Sequence, residues 1–106
     1  MKRAWLVLAL SCLTGCQGGF HVMGFLPPGA TCTLKIARLD SRPALYEFPQ
    51  SRQISGVFRE MFSTDPVKAR YTAEVICDGR LVLTRSFEYP NDAGPEKPLD
   101  LGRIAL

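Results

Sequence analysis

Four cysteines and one histidine are the residues of this sequence with the widest chemical range: Cys12, Cys16, Cys32, Cys77 and His21. A thiolate can attack a carbonyl, bind a metal ion, accept an acyl group or form a disulfide. The spacing of these five residues does not match a zinc site. Residues 30–106 contain no histidine that could serve as the base of a Ser–His or Cys–His pair. The sequence therefore predicts a protein that is not an enzyme and holds neither a metal nor a cofactor.

The N-terminus has a positive start followed by an uncharged apolar run. Lys2 and Arg3 come first, and residues 4–13 read AWLVLALSCL. Ten residues rise about 15 Å as a helix, which is about half the thickness of a bilayer core, so this run is too short to span a membrane. A basic start followed by a short apolar helix is typical of an export signal. We expect residues 1–15 to be a signal peptide.

Residues 13–16 read Leu-Thr-Gly-Cys and resemble the lipobox of bacterial lipoprotein signal peptides. The resemblance implies that the chain is cut before Cys16 and that both its thiol and the new N-terminus are acylated. Several acyl chains give a stable membrane anchor, whereas one gives marginal binding. Gln17 stands where an Asp commonly retains such proteins at the inner membrane, so we expect the periplasmic face of the outer membrane. An ordinary secretory signal or a buried N-terminal helix are the alternatives.

The remaining cysteines fit the same compartment. If Cys12 leaves with the signal and Cys16 carries lipid, then Cys32 and Cys77 form an even pair in an oxidising environment, where disulfides form and persist. Both cysteines also fall on the apolar face of a predicted strand, as a bond buried in a core requires. The sequence predicts a Cys32–Cys77 disulfide.

Composition excludes two classes of protein. Hydrophobic residues make up 46% of the 106 residues, which is too many for a disordered chain. The formal net charge is +3, and removal of residues 1–15 takes away two of the cations. A nearly neutral mature chain argues against binding to nucleic acid.

Strict alternation of apolar and polar residues predicts strands in the mature chain. The clearest are residues 31–36, 71–77 and 80–89, the last with Leu81 and Leu83 in one phase. The Asp78-Gly79 pair between alternating runs is a strong signal for a hairpin. Residues 45–48 are a weaker strand candidate, and residues 90–98 form a proline-rich loop.

Three further segments have less regular patterns. Residues 52–62 fit the apolar spacing of a helix, but Gly56 and the neighbouring strands favour a strand. The alternation of residues 99–106 changes phase near Gly102, which suggests a bulge in a last strand. Residues 16–29 are predicted to be a lipidated N-terminus and tether, with His21 in solvent, although part of this stretch could pair as an edge strand.

About six or seven short strands and one inter-strand disulfide predict an all-β chain with a small antiparallel sandwich, transthyretin-like or Ig-like, over residues 30–106. Residues 71–75, Asp78-Gly79 and the closing DLGRIAL resemble transthyretin-like (carboxypeptidase regulatory-like) modules. The resemblance implies a structural or binding unit. We therefore expect a sandwich that docks another envelope protein, with a module that binds a glycan or other small ligand as the alternative. Three basic residues could contact an acidic partner or lipid headgroups, or could serve solubility alone: Arg38, Arg42 and Arg52.

Overall fold

The computed structural model describes residues 18–40 and 46–106, and within them it contains strands but no helix. The seven strands are β1 (Gly18–Phe25), β2 (Thr31–Arg38), β3 (Gln50–Ser55), β4 (Val57–Thr64), β5 (Ala69–Cys77), β6 (Arg80–Tyr89) and β7 (Leu99–Arg103). They form two sheets, and the predicted all-β sandwich is confirmed. The predicted signal peptide, Cys16 and Arg42 lie outside the described residues.

The larger sheet has the strand order β3-β2-β5-β6, with every neighbouring pair antiparallel. The smaller sheet has the order β4-β1-β7. Its central strand β1 runs antiparallel to β4 and parallel to β7. The predicted antiparallel sandwich is therefore confirmed except for this one parallel pair.

The first strand corrects the predicted tether of residues 16–29. Residues 18–25 form the central strand of the smaller sheet, so the sandwich includes residues before position 30. Phe20 and Val22 are buried between the sheets, while His21 and Met23 point outward. This alternation outweighs the low strand propensity of Gly18 and Gly19, because burying two large side chains offsets the entropy lost by two glycines.

Residues 52–62 belong to two strands, β3 and β4, which lie in different sheets. The prediction of strand rather than helix is confirmed, but the prediction of one continuous strand is wrong. Gly56 has a φ of +57°, which glycine adopts without strain, and turns the chain from one sheet to the other. Ile54 and Phe58 face the core on either side of this turn, whereas Val57 and Met61 are exposed.

The β5–β6 hairpin is confirmed at Asp78-Gly79, where φ is 52° and 73° as a two-residue primed turn requires. One detail is wrong. Val75 pairs with Leu83 and Ile76 pairs with Leu81, so β6 carries a bulge between the two leucines. An extra residue reverses the alternation, and Leu81 is 51% exposed instead of facing the core.

The end of the chain follows the prediction closely. Gly102 has a φ of +67°, and the β1–β7 register slips between Met23 and Phe25, which confirms the bulge. Residues 90–98 form an irregular loop, as predicted. Residues 46–49 are not a strand, because the chain there turns toward β3 instead of pairing.

Aromatic rings from both sheets meet at Phe20. Its ring centroid lies 5.7 Å from that of Phe62 in the same sheet, and 5.7 Å from Tyr71 and 5.2 Å from Phe87 in the opposite sheet. Tyr89 completes the cluster at 6.2 Å. Tilted and edge-on ring pairs at these distances are the favoured geometries of aromatic packing, and here they join the two sheets.

Long polar side chains close both open sides of the sandwich. On one side Gln50 of β3 donates from Nε2 to the backbone oxygen of Ser63, 3.0 Å away, and Arg52 extends toward that of Met61 at 3.5 Å. On the other side Arg85 of β6 donates from Nη1 to the backbone oxygen of Asp100 at 3.0 Å. Edge strands of the larger sheet thus satisfy free carbonyls on the edges of the smaller one.

The predicted disulfide joins Cys32 of β2 to Cys77 of β5, with their Cα atoms 4.4 Å apart. These strands are neighbours in the larger sheet, and both cysteines are buried. The bond links residues 45 positions apart in the sequence. It therefore keeps Cys32 and Cys77 together in the unfolded chain, which lowers the entropy of the unfolded state and stabilises the fold.

Replacing Cys32 and Cys77 together by Ala should lower the free energy of unfolding by about 4 kcal/mol, because the open chain gains the entropy of a long loop. Urea unfolding of the wild type, with and without reductant, and of the double variant measures this difference. Reductant should have no effect on the variant. Equal midpoints for oxidised and reduced wild type would contradict the prediction.

Candidate functional site

The strands give the sandwich two distinct ends. The first, here named the Gly18 end, carries the start of β1 together with the end of β2 and the connections 65–68 and 90–98. The second, named the hairpin end, carries the Asp78-Gly79 turn, the Gly56 turn and the disulfide. Charged groups and the two larger grooves lie at the Gly18 end, together with the exposed side chains of Leu39 and Val67.

A buried ion pair lies at the Gly18 end. Arg38 donates from Nη1 to Oδ2 of Asp65 at 3.2 Å and from Nε to Oδ1 of Asp40 at 2.8 Å. Only 5% of the Arg38 side chain and 10% of the Asp65 side chain are exposed. Burial opposes the charge of Arg38, but hydrogen bonds to Asp40 and Asp65 outweigh it and raise the pKa of Arg38. The cluster joins the end of β2 to the residue that follows β4.

A second buried contact lies beside this ion pair. The hydroxyl of Tyr71 is hydrogen-bonded to the hydroxyl of Thr64, and both residues are fully buried. Burial raises the pKa of the Tyr71 phenol, while the hydrogen bond to Thr64 and the charge of Arg38 lower it in part. The phenol is therefore neutral at physiological pH and serves as a structural link between β4 and β5.

The Arg38 cluster was only partly predicted. Arg38 belongs to the basic stretch that could contact a partner or serve solubility alone, but its guanidinium is occupied by two carboxylates within the fold. Arg52 is also engaged, since it lies 4.9 Å above the ring of Phe62 and donates to backbone oxygens. Asp65 was missed, because its partner is 27 residues away and no local pattern marks the pairing.

Two shallow grooves open at the Gly18 end. The larger, of about 720 Å³, lies between the connections 65–68 and 90–98 and is lined by three prolines and Val67, among others. The smaller, of about 500 Å³, lies beside it and includes Leu39 and Lys68. The 90–98 loop is held in place by its own bonds, since the backbone nitrogen of Asp92 donates to the oxygen of Glu88 at 2.8 Å. Neither groove presents a buried polar side chain suited to hold a small ligand.

The outward face of β1 and β4 is the second candidate surface. This surface, named the β1–β4 face, consists of His21, Met23, Phe25, Val57, Arg59 and Met61. Phe25, Val57 and Met61 are 43%, 78% and 59% exposed. His21, predicted to be free in solvent, instead accepts a hydrogen bond on Nδ1 from Nε of Arg59 at 3.2 Å. Exposed apolar side chains around one cation are typical of a protein contact surface.

The described residues contain no group of three or more His, Cys, Asp or Glu placed to hold a metal ion. Over residues 18–40 and 46–106 there is also no helix with the length and apolarity needed to cross a membrane. Comparison of the chain with models of known protein families, with curated proteins and with solved structures finds no match. The geometry of the two surfaces is therefore the basis for a functional assignment.

Replacing Asp65 by Asn should lower the free energy of unfolding by about 2 kcal/mol. Breaking a fully buried pair costs about 3–5 kcal/mol, and Asp40 remains to pair with Arg38 here. Glu74→Gln is the matched control, because its contact with Lys35 is 4.0 Å long and partly exposed, so its cost should be below about 0.5 kcal/mol. Equal midpoints of the two variants in urea would rule out a structural role for the pair.

Proposed function

We propose that this chain is a lipid-anchored, non-enzymatic protein of the bacterial cell envelope whose sandwich docks another envelope protein. One observation carries the proposal: a disulfide-bonded sandwich begins at Gly18, two residues after the cysteine of the Leu-Thr-Gly-Cys motif. The folded unit thus follows directly on the predicted acylation site Cys16. In this proposal the anchor holds the domain at the periplasmic face of the outer membrane.

The disulfide supports export. Disulfides persist in oxidising compartments and are rare in the cytosol, where thiols are kept reduced. Cys32 and Cys77 are buried neighbours in the larger sheet, so their pairing belongs to the folded state. An exported chain needs a signal, and residues 1–15 have the charge and the length of one.

The fold fits the proposed resemblance to transthyretin-like modules. The closing segment, residues 100–106, contributes β7, whose Leu101 is buried, and Ile104 follows it into the core. The Asp78-Gly79 turn joins two long strands, as in the resemblance. Such modules commonly act as structural or binding units, so the analogy favours docking over catalysis.

The choice of docking over glycan binding depends on the exposed side chains. Sugar sites use exposed aromatic rings flanked by polar groups. Among the described residues, Phe25 is the one aromatic side chain among the large exposed hydrophobics, and Tyr71 and Tyr89 are buried. The exposed side chains of Val57 and Met61 are an aliphatic group and a flexible thioether. Such side chains suit contact with another protein better than stacking on a sugar ring. We assign docking to the β1–β4 face.

Replacing Cys16 by Ala should move the protein from the membrane fraction to the soluble periplasmic fraction, because the acyl chains lose their attachment site. Cys12→Ala is the matched control and should remain in the membrane. Fractionation followed by mass spectrometry of the mature N-terminus measures both. A Cys16→Ala protein that stays in the membrane, or a wild type without acyl chains, would contradict the anchor.

A photo-crosslinking amino acid at Val57 in intact cells should join the protein to one partner in stoichiometric amount. The same group at Leu81, exposed on the larger sheet near the hairpin end, is the matched control and should give no product. Met61→Asp should abolish the Val57 product while leaving the melting temperature unchanged, because Met61 is 59% exposed. Equal crosslinking at both positions, or retention on a peptidoglycan column without any partner, would favour the alternative.

A further inference from the structure

We infer that the Gly18 end rests on the membrane surface, with Leu39 and Val67 in contact with the lipid headgroup layer. The inference relies on the proposed acylation of Cys16 and goes beyond it, because an anchor alone does not fix the orientation of a domain. Three features of the fold determine this orientation: the length of the chain between the anchor and the fold, the rigidity of Gly18, and the side chains around it.

The chain between Cys16 and the fold is too short to act as a tether. Only Gln17 separates Cys16 from the first residue of β1, so the Cα atoms of residues 16 and 18 lie at most about 7 Å apart. An acylated cysteine lies at the boundary between acyl chains and headgroups. Gly18 must therefore lie within the headgroup layer or directly above it.

Gly18 is held firmly by the sandwich. It pairs with Thr64 in the smaller sheet, and a Cβ at this position would lie 2.7 Å from the backbone oxygen of Thr64 and 2.8 Å from that of Asp65. Gly18 is buried, and its pairing with β4 ties the start of β1 to the sandwich. The position of the anchor thus fixes the height of the whole Gly18 end above the membrane.

Two large apolar side chains are exposed at this end. Leu39, after β2, is 55% exposed, and Val67, before β5, is 46% exposed. Pro66, Pro90 and Pro95 line the groove next to Val67. These side chains have no apolar cover within the described fold, and contact with the lipid interface would remove part of their surface from water.

The paired charges at the Gly18 end include one more acid than base, which suits a bilayer of neutral headgroups. Lys68 lies 3.5 Å from Glu88, and two carboxylates, those of Asp40 and Asp65, hold Arg38. The contact therefore does not depend on a polybasic patch. The anchor supplies the affinity and, through its short link to Gly18, brings this end to the membrane.

The orientation has a measurable consequence for the β1–β4 face. Residues of β4 rise about 3.3 Å each, so Val57 and Thr64 lie about 23 Å apart along the strand, and Val57 is at the end away from the membrane. The β1–β4 face then stands upright and is open to a partner in the periplasm. Val57 and Val67 are both exposed valines, and they lie at opposite heights.

Tryptophan fluorescence in vesicles tests the inference. Trp5 is the only tryptophan and lies in the predicted signal, so a Trp5→Phe background makes an added tryptophan unique. Val67→Trp and, independently, Leu39→Trp are expressed, purified with their lipid and placed in phosphatidylcholine vesicles whose acyl chains carry bromine near the headgroups. We expect bromine to reduce the fluorescence of both at least twofold, and that of the matched control Val57→Trp by less than a tenth.

The outcomes separate the two proposals. Mass spectrometry of the same samples reports acylation at Cys16, and an unacylated chain would overturn the proposed anchor and the orientation with it. An acylated protein with Val67→Trp and Leu39→Trp unquenched, or with Val57→Trp quenched equally, would overturn the orientation while the anchor stands. A melting temperature equal to that of the parent shows that each variant is folded.

Discussion

The insertion of β1 between β4 and β7 is the constraint on which the rest of the structure depends. β4 and β7 do not pair with each other, so the smaller sheet exists only because residues 18–25 lie between them. Phe20 on this strand contacts rings of both sheets. Removing the strand would separate the two edges of the sheet and take the Phe20 ring away from Tyr71 and Phe87, which is a large loss of buried apolar area.

Polar side chains close the margins of the two sheets. The sheets differ in width, and side chains from the edges of the larger sheet bond to edge carbonyls of the smaller one: Gln50, Arg52 and Arg85. The Gly18 end is closed by the pair Arg38–Asp65 and by the hydroxyls of Thr64 and Tyr71. No described buried side-chain nitrogen or oxygen lacks a partner, so hydrogen bonds offset the desolvation cost of the polar groups at the margins of the sandwich.

The same strand links fold and proposed function. β1 is at once the middle of a sheet and a strand that begins two residues after Cys16, so the proposed anchor would join the core through Gln17 alone. A long flexible tether would let the domain sample many orientations. With the proposed anchor, the two ends of the sandwich would differ in their distance from the membrane.

Local patterns determined much of this molecule. Neighbouring residues alone predict the strands at 31–36 and 71–77, the Asp78-Gly79 turn and the bulge at Gly102. The number of cysteines left in the mature chain predicts the pairing of Cys32 with Cys77. Only the tertiary structure decided the rest. Contacts between distant segments decide three features: the place of residues 18–25 at the centre of a sheet, the exposure of Leu81 after a bulge, and the pairing of Arg38 with Asp65. The free energy of such contacts cannot be read from the periodicity of neighbouring residues.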